Sequence, residues 1–281
     1  MLDTRIVSAG IDYITATMPH TNPNVLDWYS RCIQYIETIA RDGNETVSTR
    51  RNGYEGIAVG GSFCGVRDDG YMVNISGERA QAGFDIVYRN QPNVSRIDVQ
   101  CTYRGGTKDA STAISAQRSV AEANKKLSSK AQREAVLMTS LRGGATCYVC
   151  SKKSEQFARI YDKEKESAED RYKDCWRYEV QLKNRLATNT ATLFRLSEYA
   201  QPNQAAVFVR QWLRKRGVSV PWNAEAELYA LPSDTNTPSD VESRLRWLRE
   251  QVRPALRRLI KLGLRDSILE ALDLQEKNGG E

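Results

Sequence analysis

The order of short β-like and helical segments constrains this chain more than any single motif. Near residue 10, and again near residue 95, a β-like run is followed by a helical stretch and then by further β-like runs. The first run, GIDYITAT at Gly10–Thr17, is rich in β-branched and aromatic residues and closed by Pro19. Asn22 as cap and Pro23 at the first helical position then open a helix. Its apolar residues Val25, Trp28, Tyr29, Cys32, Ile36 and Ile39 recur at helical spacing, and it ends near Asp42-Gly43. From Tyr54 to Tyr88, the runs GIAVGGSF, GYMVNIS and GFDIVY alternate with Gly, Asn and Asp punctuation, which predicts antiparallel hairpins.

The second series starts with a strand at Ser95–Tyr103. A helical stretch over 107–130 follows, with Ala113, Ala116, Val120, Ala123 and Leu127 as its inner stripe. Strands are expected at Ala135–Leu141, Ala145–Cys150, Gln156–Asp162 and Trp176–Lys183, with the charged KEKESAEDRYKD as a loop or helical extension between the last two. The expected fold class is therefore α+β: antiparallel sheets built from a duplicated β-α-β-β-β unit and covered by helices on one face. The halves span about 8–105 and 106–200.

Beyond residue 200 the pattern turns helical. Gln204–Arg216 carries Val207, Val209, Trp212 and Leu213 and stops at Gly217, and a Pro/Ser/Thr/Asn-rich linker runs over roughly 218–239. Val241, Leu245, Leu248, Val252, Leu256 and Leu259 then line one helix face, with Pro254 inside the pattern as a kink or a junction of two helices. A last short helix is expected over 265–274. Residues 201–281 thus form a basic helical C-terminal region after a first domain at 1–200.

Several function classes drop out. No run of 18 apolar residues occurs, and MLDTRIVSAGIDYIT lacks the features of a secretory signal, so a soluble, cytoplasmic protein without membrane contact is expected. Six scattered cysteines argue for reduced thiols rather than a disulfide framework. Cys147-Tyr-Val-Cys150 has redox or zinc spacing but no second pair and no neighbouring histidine, so it reads as strand residues. The one histidine, His20, rules out chemistry built on clustered imidazoles. Gly60, Gly61, Gly143 and Gly144 follow no phosphate-loop pattern and read as turns or bulges, and no Walker-type lysine motif appears. With 41 Lys and Arg against 35 acids, the net charge of +6 favours a polyanionic partner.

Period-2 geometry sharpens three of the strands. RIDVQCTY sets Arg96, Asp98 and Gln100 opposite Ile97, Val99 and Cys101. FARIYDK sets Arg159, Tyr161 and Lys163 opposite Ala158, Ile160 and Asp162, and WRYEVQLK sets Arg177, Glu179, Gln181 and Lys183 opposite Trp176, Tyr178, Val180 and Leu182. As neighbours with polar faces aligned, they would present two carboxylates, a tyrosine and several cations on one surface. That face could simply be solvated, its charges forming surface pairs. Two acids also suit a hard divalent cation, and a tyrosine between cations suits phosphate chemistry once its phenolate is favoured.

RIDVQCTY at 96–103, YVCSKKSEQFARIYDKEKES at 148–167 and WRYEVQLKN at 176–184 together resemble the replication initiation factor family, the initiators of rolling-circle plasmids and filamentous phages with related relaxases of mobile elements. Order and spacing match over roughly residues 8 to 190, and WLREQVRPALRRLIKLG at 247–263 is similar to the tail of phage-type members. The resemblance implies a catalytic nicking domain at 1–200. A tyrosine in Arg-x-Tyr-x-Lys would attack one strand of origin DNA, leaving a 5′-phosphotyrosine and a free 3′-hydroxyl. It places the nucleophile on Tyr161, with Lys163 and Arg159 near the phosphate and Asp98 and Glu179 serving Mg²⁺ or Mn²⁺. Tyr13, Tyr103, Tyr148, Tyr172 and Tyr178 compete for the nucleophile, although Tyr103 and Tyr178 fall on apolar strand faces.

Arg96 and Arg177 are expected to meet DNA. So are Arg246, Arg249, Arg253 and Arg257, which belong to a basic face opposite the leucine stripe that could equally be solvated. The cluster Arg210, Arg214, Lys215 and Arg216 allows the same two readings. Implied partners are single-stranded or extruded origin DNA, a host helicase and polymerase, and a second copy in a homodimer. A conjugative relaxase of the same chemistry and a noncatalytic DNA-binding regulator are the rival readings.

Overall fold

The computed structural model describes residues 3–41, 45–105, 111–129, 132–139, 144–167, 169–196 and 202–222. Its elements are β1 (Ile6–Pro19), α1 (Val25–Arg41), β2 (Thr46–Arg51), β3 (Tyr54–Val59), β4 (Ser62–Arg67), β5 (Gly70–Ser76) and α2 (Glu78–Tyr88), followed by β6 (Asn93–Arg104), α3 (Ser111–Asn124), β7 (Ala135–Thr139), β8 (Ala145–Val149) and β9 (Gln156–Asp162). A short α4 (Lys163–Glu166), β10 (Cys175–Lys183), α5 (Asn184–Leu196) and α6 (Pro202–Arg214) complete them.

All ten strands form one antiparallel sheet in the order β2-β3-β4-β5-β1-β6-β10-β9-β8-β7. Read outward from the centre, β1-β5-β4-β3-β2 is repeated by β6-β10-β9-β8-β7. The duplication is therefore a β-α-β-β-β-β-α unit, one strand and one helix longer than expected, and the two copies meet at the β1/β6 pair.

Three local differences account for the extra elements. GIAVGGSF is split by Gly60-Gly61, both at positive φ, into the end of β3 and the start of β4, as a two-residue hairpin turn requires. GFDIVY belongs to α2 rather than to a strand: Ala80, Phe84 and Val87, spaced at four and three, are among the residues it buries, with Gly83 and Tyr88 beside them. TVSTRR at β2 is an edge strand with little burial, so it shows no apolar alternation. Helix α1 follows the expected stripe, burying Val25, Trp28, Cys32, Ile36 and Ile39, but begins two residues later than Pro23.

The strand residues Ile14, Ala16, Ile97, Val99, Ile160, Val180 and Leu182 share one hydrophobic core with Trp28, Phe84, Val120, Phe194 and Phe208 of the helices. One sheet face is thus covered by helices, and each fully buried side chain of this size contributes about 1.5–3 kcal/mol. The polar atom of Trp28 is satisfied within that core, its indole N–H donating to the Val87 carbonyl at 2.7 Å. Helix α6 adds Ala205, Val207 and Leu213 to the same core, so the compact unit runs over Met1–Pro232 and takes in a helix expected in the C-terminal region. In the first half, the opposite face carries only a small cluster of Tyr54, Phe63 and Met72, with Arg51 and Arg67 lying over the Phe63 and Tyr54 rings.

All six cysteines are free thiols, including Cys147 and Cys150 of the CxxC spacing. No helix among the described residues is long and apolar enough to cross a membrane. Gly143 and the basic C-terminal face with Arg246, Arg249, Arg253 and Arg257 lie outside the described residues.

Candidate active site

The three polar strand faces are adjacent. Across the β6-β10-β9 ladders, Arg177 stands opposite Thr102 and Tyr161, Glu179 opposite Gln100 and Arg159, Gln181 opposite Asp98, and Lys183 opposite Arg96. Directly opposed residues share a sheet face, so these side chains converge on the face opposite the hydrophobic core, which the helices of the described residues leave uncovered.

The two central carboxylates are buried, Asp98 and Glu179 each at 1 % exposure. Each has its own guanidinium. Arg96 grips Asp98 with Nε on Oδ1 at 2.9 Å and Nη2 on Oδ2 at 2.5 Å, and Arg159 Nη2 reaches Glu179 Oε1 at 2.5 Å. The two carboxyls are near enough for the Asp98 charge to act on Glu179. Burial holds both above the ordinary carboxylate range, with the neighbouring Asp98 charge adding to the effect on Glu179 and the arginines opposing it.

A third acid enters from β1. Ile11 pairs with Val99 and Tyr13 with Asp98, which leaves Asp12 as the extra residue of a β-bulge. Its carboxylate accepts from Arg177 Nη1 at 3.1 Å, while Arg177 Nε donates to Thr102 Oγ1 at 2.9 Å. Arg177 is only 4 % exposed, so it is an internal cation of the site rather than the surface DNA contact expected from its strand. Arg177→Met would leave Asp12 half-buried without its partner and should cost about 3 kcal/mol of stability, read by urea denaturation. Unchanged stability would show that the pair contributes nothing.

Tyr161, 8 % exposed, points its hydroxyl at Glu179 Oε2, 3.4 Å away, a weak hydrogen bond. The Arg159 guanidinium lies 5.5 Å from its ring centre. Burial, and after it the Glu179 charge, push the phenol well above the usual tyrosine value, while Arg177 and Arg159 pull the other way. Without DNA, Tyr161 is therefore a neutral phenol.

Lys163 departs from the expected pattern. The strand ends at Asp162, whose side chain caps α4 by accepting from the Lys165 N–H at 3.0 Å. Lys163 is therefore the first residue of α4 rather than a strand residue; it is buried, pairs with Glu166, sits over the Tyr172 ring at 5.1 Å, and its charge still reaches Asp12.

The rival tyrosines separate by position. Tyr103 and Tyr178 are buried in the core, as their strand faces predict. Tyr13 lies under the Arg96 guanidinium, 4.1 Å from it, and Tyr172 donates to Glu78 Oε1 at 2.8 Å. Tyr148 is half-buried on β8. Of these, Tyr161 is the tyrosine whose hydroxyl meets Glu179. The basic cluster after residue 209 is partly spent on packing, with Arg216 stacked on Trp212 at 3.5 Å and donating to Gln156 Oε1 at 2.7 Å.

Asp12 was invisible to sequence reasoning because strict alternation puts it on the same face as Ile14, and only the bulge moves it to the polar side. Asp98 and Glu179 offer hard oxygen donors of the kind that bind Mg²⁺ or Mn²⁺ through one or two carboxylates plus substrate phosphate. Among the described residues, no three His, Cys, Asp or Glu side chains group around a metal position. The donor set therefore fits a cation completed by water and DNA rather than one caged by protein.

Comparison with solved structures finds a rolling circle replication initiator protein from Geobacillus stearothermophilus, 18 % identical, covering 66 % of this chain and 78 % of that one with a TM-score of 0.47. No curated protein matches the sequence. The profile of the replication initiation factor family matches residues 92–272. That span takes in Asp98, Tyr161, Glu179 and the C-terminal arginines, but not β1 with Asp12. The match covers well over half of the chain, and the chain belongs to the replication initiation factor family.

Proposed function

We propose that this protein is a rolling-circle replication initiator that nicks and rejoins one strand of origin DNA through Tyr161. The observation that carries this reading is the juxtaposition of a buried tyrosine hydroxyl with two neighbouring buried carboxylates and three guanidinium groups, on the sheet face opposite the helical core of a replication initiation factor.

In the proposed reaction, the Tyr161 oxygen attacks the scissile phosphorus and the bond to the 3′-oxygen breaks. The strand is left as a 5′-phosphotyrosine with a free 3′-hydroxyl. Glu179 Oε2, the acceptor nearest the phenol, takes the proton that Tyr161 loses; water protonates the departing 3′-oxygen, and the resulting hydroxide takes the proton back from Glu179. Arg159, at the rim, faces the phosphate, while Arg177 favours the developing phenolate.

Charge bookkeeping explains why the resting site is not primed. Asp12, Asp98 and Glu179 are formally balanced by Arg96, Arg159 and Arg177. Passing the Tyr161 proton to Glu179 changes no total, but a phosphodiester adds a negative charge that these residues cannot neutralise. A divalent cation held by Asp98 and Glu179 would supply the missing positive charge and polarise the phosphate. Arg96 and the C-terminal Arg246, Arg249, Arg253 and Arg257 hold flanking phosphates, and a host helicase and polymerase act on the opened origin.

The test is incubation of supercoiled origin plasmid with protein and Mg²⁺ or Mn²⁺. The expected products are open circles and a covalent protein–DNA adduct at the 5′ end of the nick. Binding of the plasmid without nicking would instead support a noncatalytic regulator.

A further inference from the structure

Beside the candidate active site, the same sheet face continues onto β8 and the edge strand β7 with a change of character. Tyr148 stands opposite Arg159 on one side and Val136 on the other, and Thr146 stands opposite Tyr161 and Met138. Tyr148 is thus two residues along its strand from the partner of Tyr161, or roughly 7 Å. Val136 and Met138 are 39 % and 52 % exposed, so this strip shows apolar surface beside the charged groups of the candidate site. The Tyr148 ring packs against Phe157, with centres 6.4 Å apart. Lys152 Nζ lies 3.5 Å from the centre of the Tyr148 ring, and Lys183 Nζ lies 5.5 Å from that of Phe157. Neither lysine is in an ion pair with a carboxylate among the described residues.

We propose that Tyr148, backed by Phe157 and flanked by Val136, Met138, Lys152 and Lys183, is a stacking platform for unpaired bases of single-stranded DNA next to the cleaved phosphate. The proposal rests on the functional reading above and adds a base-binding subsite to it. An aromatic ring with cations on its face suits a single strand. The base takes the ring, and the lysine exchanges the weak cation–π contact for a phosphate. A duplex, whose bases are already stacked, gains nothing from such a ring. The strip is also continuous with Arg159, so bases adjoining a phosphate held at Tyr161 come over β8.

The experiment measures binding of a short oligothymidylate and of a duplex, in a Tyr161→Phe background that cannot cleave. Tyr148→Leu keeps apolar bulk on the strand but removes the ring. It should weaken single-strand binding by about 5- to 100-fold, the range for one lost base stack, and leave duplex binding unchanged. Tyr148→Phe should bind within about twofold of the parent. A 5-iodouracil oligonucleotide should photo-crosslink to residue 148.

Equal losses on single strand and duplex, no loss on either, or a change in sedimentation with Tyr148→Leu would overturn the platform, the last by making the strip a contact between copies. If the background protein binds single strands and is indifferent to residue 148, the platform falls and the nicking reading stands. If it binds no DNA at all, both fall.

Discussion

Tyr161→Phe abolishes strand cleavage, by more than about a thousandfold, while DNA affinity and thermal stability stay close to those of the parent. The ring remains in place between Arg159 and Glu179, and only the attacking oxygen is lost. The hydrogen bond removed is weak, so little folding energy goes with it. Denaturing electrophoresis of labelled origin DNA checks the outcome. A covalent adduct formed by the Phe variant would move the nucleophile to Tyr13, Tyr148 or Tyr172, each of which has a cation against its ring.

Asp98→Asn and Glu179→Gln should lose cleavage yet gain stability, a pairing that an ordinary structural acid would not show. Both carboxyls are held above their ordinary range, chiefly by burial. Between the unfolded and folded pKa values, the folded state therefore binds more protons than the unfolded one. The stability these groups contribute is fully present below the unfolded value, near 4, and is lost as pH rises through the folded values. A neutral amide of the same shape escapes that loss. The thermal midpoint of the DNA-free parent should thus fall from pH 4 towards pH 8 more steeply than that of either variant, and each variant should be the more stable protein at neutral pH. The parent should also stop cleaving in EDTA. Full cleavage in EDTA would remove the cation from the mechanism, and variants less stable than the parent would mean that the Arg96 and Arg159 pairs outweigh burial.

Strand periodicity carried most of what could be read in advance. In RIDVQCTY and WRYEVQLK each residue sits on the face that alternation assigns, because regular antiparallel ladders without bulges join these strands. The same rule failed where the backbone departs from regularity. One inserted residue at Asp12 reverses the face of residues 8–11, and the helix cap at Asp162 takes Lys163 out of the strand. Short apolar runs were ambiguous in the other direction, since GFDIVY fits a strand until the residues before it show the spacing of α2. Helix α5 was hidden by its composition. TNTAT has the β-branched and capping residues that disfavour helices in isolation, and it is held helical by burying Leu186, Ala191 and Phe194 against the sheet.

The symmetric strand order also fixes when in the life of the chain the site can exist. β2 to β5 and β7 to β9 are joined by consecutive hairpins, which close short loops and form early. The central pairs β1/β6 and β6/β10 join segments about eighty residues apart in the chain. Asp12, Asp98 and Glu179 lie on those three central strands. A nascent chain can therefore complete its entire first half on the ribosome and still lack the cluster of acids, because they assemble only when the slowest pairings of the sheet close.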